Sequence, residues 1–384
     1  MAEIADPRPR ALLVTRNFPP LVGGMERVNQ HMLEEMAAEW RVSLCGPDGS
    51  AETARDAEFV AESRLKPLWR FLLGTSWRAF RMARRLRPAI VLAGSGLSAP
   101  MAWLAARSCG ARLVVYLHGL DVIAPSMIYQ RLWLPFIRAC DVVLVNSENT
   151  GRLARKQGVA AGRITILHPG TEIPELDPEA GPAFRLKLGI GQRLLLLSVG
   201  RFTRRKGLFE FVVQALPAIV AIHPQVLLLI IGEEANDALH GASESERGRI
   251  SAGARQAGVE ANLRFLGRCD EATLHAAYQA ADCHVFPVLD LPGDVEGFGM
   301  VALESAAHGL QTVAFAVGGV PDAVAEGSTG RLVRPGDYAD FALSVLATIA
   351  APANEQRRLA CRQFAEGKSW ARFGERLRSI FRHD

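Results

Sequence analysis

Short, unbroken Val/Ile/Leu runs alternate with helix-length stretches along most of this 384-residue chain, and nothing else in it constrains the fold so tightly. In the first half the runs are "ALLVT" (11–15), "RVSLCG" (41–46), "AIVLAG" (89–94), "RLVVYLHG" (112–119), "DVVLVNS" (141–147) and "ITILHPG" (164–170). Helices are expected between them around 24–39, 76–86 and 98–108. A strand that is apolar on both faces belongs in a parallel sheet covered by helices on both sides. The pattern dissolves at "TEIPELDPEAGPAF" (171–184), rich in Pro, Glu and Gly, which reads as an interdomain linker.

It then restarts with "RLLLLSVG" (193–200), "QVLLLIIG" (225–232), "LRFLG" (263–267), "CHVFP" (283–287), "TVAFA" (312–316) and "GRLVRPG" (330–336). Helices are expected around 207–221, 245–257, 270–280 and from about 299. The expected fold class is therefore α/β, two Rossmann-like doubly wound domains. The first spans 1–170, a linker 171–190, the second 191–366, and a closing helix 367–384. That helix carries Trp370, Phe373, Leu377 and Ile380 at helical spacing. Ligands of such sheets bind beyond the carboxyl ends of the strands, so a cleft between two facing domains is the expected site.

Composition narrows the surroundings. An apolar content of 49% with 22% charged residues is that of a globular protein. No run approaches the ~18 apolar residues of a membrane span. The first ten residues lack a signal-like apolar core, and the six cysteines share no close spacing, so a cytoplasmic protein is expected. A net charge of +4 is too mild to argue for nucleic acid, and no nucleic-acid partner is expected. The charge is unevenly placed, however: residues 64–87 hold eight basic side chains and no acidic one, with Trp69, Phe71, Trp77 and Phe80 interleaved. Two readings stand, a surface helix whose aromatics face the core, and a segment lying on an anionic membrane.

Several loops after strands carry chemistry. "GSGLSA" (94–99) matches the dinucleotide pattern G-x-G-x-x-A, but the first strand lacks that pattern and no strand-end carboxylate follows at ribose spacing. Gly23 and Gly24, just before the first helix, form a plain turn or bring bare amides to an anion at the helix start. "SVGRFTRRKG" (198–207) places Arg201, Arg204, Arg205 and Lys206 at a strand end, as a solvated turn or as a grip on a diphosphate; its Lys-Gly order is the reverse of a Walker loop. His118, in "YLHGLD", is structural or catalytic. Asp290, Asp294 and Glu296 could hold a divalent ion, but the nearby cations already suit a diphosphate, and no metal site is expected. In "EGFGMVALE" (296–304), Glu296 and Glu304 bracket a glycine turn and a helix start. A carboxylate can accept from both hydroxyls of a diol, which suits Glu296 on a hexose and Glu304 on a ribose, with turn amides between them.

In order and spacing, "GGMERV", "HGLD", "GRFTRRKG", "EGFGMVALE" and "VGGVPD" (317–322) resemble the retaining glycosyltransferases of family 4, of the GT-B fold. The resemblance covers nearly the whole chain, including the linker and the last helix, which in that family crosses back onto the N-terminal domain. It implies that Arg201 and Lys206 neutralise a donor diphosphate and that Gly24, beside Gly23, offers its amide to the distal phosphate. Glu296 and the amides of Phe298, Gly299 and Met300, with Val301 next to them, would hold the hexose. Glu304 would take the ribose, His118 would sit beside the transferring sugar, and Arg268 would border the base.

Two departures stand out: "GEEAND" (232–237) replaces the family's Gly-x-Gly-Pro, and Gln311 replaces a proline. The loop "LDLPGDVEGFG" (289–299) resembles the phosphatidylinositol mannoside mannosyltransferase subgroup, which favours GDP-mannose over UDP-sugars. The implied activity is a metal-independent, retaining transfer of a hexose to a lipid-linked or glycan hydroxyl in cell-envelope, exopolysaccharide or lipopolysaccharide synthesis. No cofactor beyond the nucleotide-sugar donor is expected, and the implied location is peripheral on the inner face of the cytoplasmic membrane. The rival readings are a nucleotide-sugar epimerase of the same fold and a non-catalytic sugar-nucleotide-binding module.

Overall fold

The computed structural model describes residues 6–124, 126–234, 245–350 and 355–382. The chain divides into two compact units, Met1–Gly170 with Trp370–Asp384, and Thr171–Ser369. Of the "GEEAND" departure, residues 235–237 lie outside the described residues.

The first unit is built on seven parallel strands: β1 Arg10–Val14, β2 Arg41–Pro47, β3 Phe59–Ser63, β4 Ile90–Ala93, β5 Arg112–Leu117, β6 Val142–Val145 and β7 Ile164–Ile166. They lie in the order β3-β2-β1-β4-β5-β6-β7. Leu12 stands opposite Ser43 on one side and Val91 on the other. Leu12, Val14, Val91, Val115 and Val143 pack with Phe71, Ala79 and Ala102 in one buried core. Burying both faces of these strands against helices is what their unbroken aliphatic runs demand.

The second unit repeats the plan with six parallel strands, β8 Leu195–Val199, β9 Leu227–Ile231, β10 Leu263–Gly267, β11 Cys283–Phe286, β12 Thr312–Phe315 and β13 Gly330–Val333. Their order is β10-β9-β8-β11-β12-β13. Each sheet thus reverses direction once, beside its first strand, which is the doubly wound arrangement.

Local details differ from the sequence pattern for identifiable reasons. β3 is half-exposed and reads "FVAES", so it offers no continuous apolar run. The helix expected over 76–86 begins at Leu68. The helix expected over 207–221 is two, Leu208–Gln214 and Leu216–Ile222, because Pro217 has no N–H to continue the ladder. Residues 171–190, read as a linker, contain the helix Ala180–Lys187, and Phe184 and Ile190 are buried with Leu195 and Tyr278 in the second unit. Two apolar anchors six residues apart, at neither helix nor strand spacing from a longer apolar run, are easily lost among prolines. The last helix is Trp370–Arg382, and it buries Trp370, Phe373, Leu377 and Phe381 rather than Ile380. It packs within the first unit on the helix Gly24–Ala37, with Trp370 stacked on His31 at 3.9 Å and Arg378 bonded to Glu35 at 2.6 Å. Among the described residues no helix is long and apolar enough to cross a membrane.

Candidate nucleotide-sugar site

Where β8 and β11 lie side by side, the connections leave in opposite directions and open a crevice at the carboxyl ends of the strands. Three loops meet there. The loop after β8 carries Arg201 to Lys206, and Gly207 closes it at φ +67°, a conformation that a side chain would strain. Its Arg205 carbonyl accepts from the Leu289 amide at 2.8 Å, which ties it to the loop after β11. The loop after β12 supplies the Gly319 amide to the Glu296 carbonyl at 2.9 Å. Gly299, at φ +95°, then starts the helix Met300–Ala307 with no side-chain cap on its first amides. That leaves the positive end of the helix open to an anion.

The charges in this crevice are paired more closely than their order along the chain suggests. Lys206 Nζ donates to Glu296 Oε2 at 2.9 Å, and Arg205 bonds the same oxygen. Arg205 Nε also meets Asp294 at 2.9 Å. Burial pushes the Glu296 carboxyl up, but Lys206 and Arg205 outweigh it and hold the group at about 2. Burial, against the pull of Glu296 and with the push of Arg205 and Arg201, draws Lys206 down from its usual value, while Arg205 is raised by its two carboxylates against its own burial. Lys206 further lies 4.7 Å from the centre of the Phe286 ring. Arg201 is exposed and has no ion-pair or hydrogen-bond partner among the described residues. The sequence reading left Glu296 free for neutral hydroxyls and gave Lys206 wholly to a diphosphate. In the structure they neutralise each other, and Arg205, weighed from sequence as part of a diphosphate grip, and Asp294, weighed as a ligand for a divalent ion, complete the cluster as partners of one another and of Glu296.

Glu304 stands in the helix after the turn, half-buried, and Tyr278 Oη donates to it at 3.3 Å. His308, four residues on, bonds the Glu304 carbonyl through Nδ1 at 2.8 Å and stacks on Tyr278 at 4.8 Å. Phe298 is buried, while Met300 and Val301 are half-buried. Arg268, after β10, pairs with Glu233, after β9, across 3.6 Å, both exposed. Glu234 accepts from Ser245 Oγ at 2.6 Å and from the Arg247 amide at 2.9 Å, at the start of the helix Glu246–Gln256. The two glutamates of the "GEEAND" departure thus have separate partners.

In the first unit, His118 follows β5 and is buried. Its Nε2 donates to the Gly94 carbonyl at 3.0 Å, its amide donates to Asp121 at 3.1 Å, and its carbonyl accepts from Asn146 at 3.1 Å. Asp121 also takes the Gly96 amide at 3.1 Å, so the "GSGLSA" turn is joined to the His118 loop. Gly23 is extended and Gly24 opens the helix Gly24–Ala37 without a side-chain cap. A side chain on Gly23 would collide with Glu26, whose carboxylate accepts from Asn17 at 2.8 Å. A carboxylate so near this helix start was not considered from sequence; the "GGMERV" stretch contains it in plain sight. Among the described residues, no group of three or more His, Cys, Asp and Glu side chains could hold a metal ion.

Residues 22–173 match the family described as Glycosyltransferase Family 4, and residues 182–366 the one described as Glycosyl transferases group 1. Over 372 residues the chain is 29% identical to a GDP-mannose-dependent alpha-(1-6)-phosphatidylinositol monomannoside mannosyltransferase of Mycolicibacterium smegmatis, a match covering 94% of this chain and 93% of that one. It is 26% identical over 388 residues to a GDP-mannose-dependent monoacylated alpha-(1-6)-phosphatidylinositol monomannoside mannosyltransferase of Corynebacterium glutamicum, covering 98% of each. Among solved structures, Anabaena HepE in complex with UDP and glucose superposes with a TM-score of 0.79 at 18% identity, over 98% of this chain and 100% of that one. Sucrose-phosphate synthase from Thermosynechococcus elongatus superposes with a TM-score of 0.77 at 22% identity, over 98% of each chain. These likenesses show the shared GT-B fold.

Proposed function

This chain belongs to the glycosyltransferases, and on that premise we propose that it moves a hexose, mannose by preference, from a nucleotide-diphosphate sugar to a lipid-linked or glycan hydroxyl. The observation that carries the reading is the crevice of the second unit, where the cationic loop 201–206, the Glu296–Gly299 turn and an uncapped helix start converge. GDP-mannose as donor is supported by the GDP-mannose dependence of the two mannosyltransferase relatives and by the loop 289–299. The product belongs to cell-envelope, exopolysaccharide or lipopolysaccharide glycan, made at the inner face of the cytoplasmic membrane, which residues 64–87 contact.

The chemistry follows from the charges. A donor diphosphate competes with Glu296 for Lys206 and takes Arg201, which has no ion-pair or hydrogen-bond partner among the described residues, together with the amides at the start of Met300–Ala307. Once Lys206 turns to the diphosphate, Arg205 still holds Glu296, whose second oxygen then accepts hexose hydroxyls, and Glu304 accepts from the ribose. Arg268 borders the base. The bond from the anomeric carbon to the phosphate oxygen breaks as the bond to the acceptor oxygen forms on the same face. The acceptor's proton passes to the leaving phosphate oxygen, and configuration is retained. Arg201 and Lys206 supply the positive charge that a metal would otherwise supply. Positioning and preorganised charge carry most of the barrier reduction.

Purified protein incubated with a panel of GDP- and UDP-sugars, with and without a lipid acceptor, tests the whole reading. Transfer from GDP-mannose only in the presence of acceptor, with the donor's anomeric configuration kept in the product by NMR, is the expected result. Conversion of the donor sugar without acceptor makes the protein an epimerase, and nucleotide binding with no turnover of any donor makes it a binding module. GDP raises the melting temperature more than UDP does, since a ligand of the folded state stabilises by mass action. Lys206→Ala lowers turnover by about two to three decades, and wild-type kinetics in that variant remove Lys206 from the mechanism.

A further inference from the structure

We propose that Glu233 acts with Arg268 to read the base of the nucleotide donor, and that the pair selects guanine over uracil and adenine. This rests on the donor-site reading above and adds to it the groups that tell one nucleotide from another. Both residues stand at the carboxyl ends of neighbouring strands, Glu233 just beyond β9 and Arg268 directly after β10. In the pattern Gly-x-Gly-Pro, from which "GEEAND" departs, Glu233 falls on the x. That is the position the pattern leaves open, where a chain can set a preference of its own.

The backbone holds Glu233 against the cationic loop. Its carbonyl accepts from the Phe202 amide at 2.8 Å, inside the stretch that carries Arg201 to Lys206. Gly232, just before it, donates to the Gly267 carbonyl at 3.0 Å, which fixes the end of β9 beside the end of β10. A Cβ on Gly232 would run into the Gly200 carbonyl, so a glycine is what lets the loops after β8 and β9 come this close. On the other side, Asp270 accepts from the Thr273 amide at 2.8 Å and caps the helix Glu271–Ala280. That helix carries Tyr278, which donates to Glu304. The groups placed on the diphosphate, the ribose and the base thus share one frame within the second unit.

The pair itself is loosely made. Arg268 Nη1 lies 3.6 Å from Glu233 Oε1, longer than a hydrogen bond, and the two side chains are 62% and 54% exposed. Each is the other's one side-chain partner among the described residues. An exposed pair of this kind adds little to stability, so neither group is held back from a ligand. Glu234 differs, because Ser245 and the Arg247 amide already occupy its carboxylate. Hydrogen-bond polarity then selects the base. An ionised carboxylate only accepts and a guanidinium only donates. Along one edge guanine presents two donors side by side, the N2 amine and N1–H, followed by two acceptors, O6 and N7. Glu233 takes the donors and Arg268 the acceptors, as arginine commonly does with this base. Uracil sets a single N–H between two carbonyl oxygens, so a carboxylate there gains one bond and faces two lone pairs. Adenine sets its amine beside a bare ring nitrogen and again offers one donor.

Calorimetric titration of the full chain with GDP, inosine diphosphate, UDP and ADP is the test, since inosine diphosphate is GDP without the N2 amine. The parent is expected to bind GDP about tenfold or more tightly than inosine diphosphate, and UDP and ADP more weakly still. Glu233→Ala lowers the affinity for GDP by about tenfold or more, erases the difference between GDP and inosine diphosphate, and leaves UDP unchanged. Arg268→Ala weakens GDP and inosine diphosphate alike and keeps their ratio, since both carry O6 and N7. Melting without nucleotide is unchanged in both variants, because the pair is exposed. Equal binding of GDP and inosine diphosphate by the parent overturns the proposal. So does a ratio that survives Glu233→Ala, or a gain in affinity for all four nucleotides in that variant, which would make Glu233 a charge that repels the diphosphate. Sugar transfer measured in parallel separates the failures. UDP bound as tightly as GDP, with transfer from a UDP-sugar, sinks the guanine selection and leaves the transferase standing; a parent that binds none of the four sinks the donor site and this pair with it.

Discussion

Glu296 Oε2 accepts from both Lys206 and Arg205, and two buried histidines, His284 and His308, lie in the same unit. All three tie stability to pH in the same direction. Glu296 is held at about 2 against a usual 4.5, so its contribution is complete above pH 4.5 and drains as pH falls toward 2. Burial pushes His284 down to about 3 and His308 to about 4. Unfolding lets each take a proton below its usual 6.5, so their contribution is complete above pH 6.5 and falls with pH below it. Urea unfolding at a series of pH values is therefore expected to show stability declining from pH 6.5 downward, before carboxylates titrate. His308→Phe, which keeps a ring on Tyr278, flattens the upper part of that slope; an unchanged slope removes His308 from the account. At the site itself, Arg205→Met is expected to lower turnover by about a hundredfold through a misplaced Glu296, with nucleotide affinity little changed. Loss of nucleotide binding instead would make Arg205 a direct contact.

At the scale of elements, the site is held by contacts between loops that share no sequence neighbourhood. Gly207 is the plainest case: a Cβ there would run into the Pro287 carbonyl, and φ +67° is strained for any other residue. Gly207→Ala is expected to cost more than about 2 kcal/mol and to detach the cationic loop from the loop after β11, read as a lower melting temperature together with weaker nucleotide binding. Melting like the parent's would mean that the loops are not braced against each other. The central strands were legible from sequence because aliphatic runs have few other uses. The edge strand β3 was not, being half-exposed, and neither was the helix Ala180–Lys187, because the prolines and acidic residues of 172–179 just before it hid the burial of Phe184. The helix Leu68–Leu86 was legible only in its second half, since "LWRFLL" reads equally as a strand or a helix.

At the scale of the whole molecule, the chain returns after the second unit to complete the first, where the helix Trp370–Arg382 lies with Leu377 fully buried. Leu377→Ala is expected to destabilise the first unit by about 2–5 kcal/mol and to leave the nucleotide-induced stabilisation of the second unchanged; calorimetry with and without GDP reads both. By itself the sequence determined two parallel sheets and which residue types stand at their strand ends, because strand burial and backbone turns depend on neighbours along the chain. Only the tertiary structure decided how the charges are spent. Lys206 and Glu296 are 90 residues apart and meet because β8 and β11 are adjacent, leaving Arg201 and Arg204 as the exposed cations of that loop. It likewise decided that Trp69 and Trp77 face outward, because the buried side of a helix is chosen by what the sheet places beneath it.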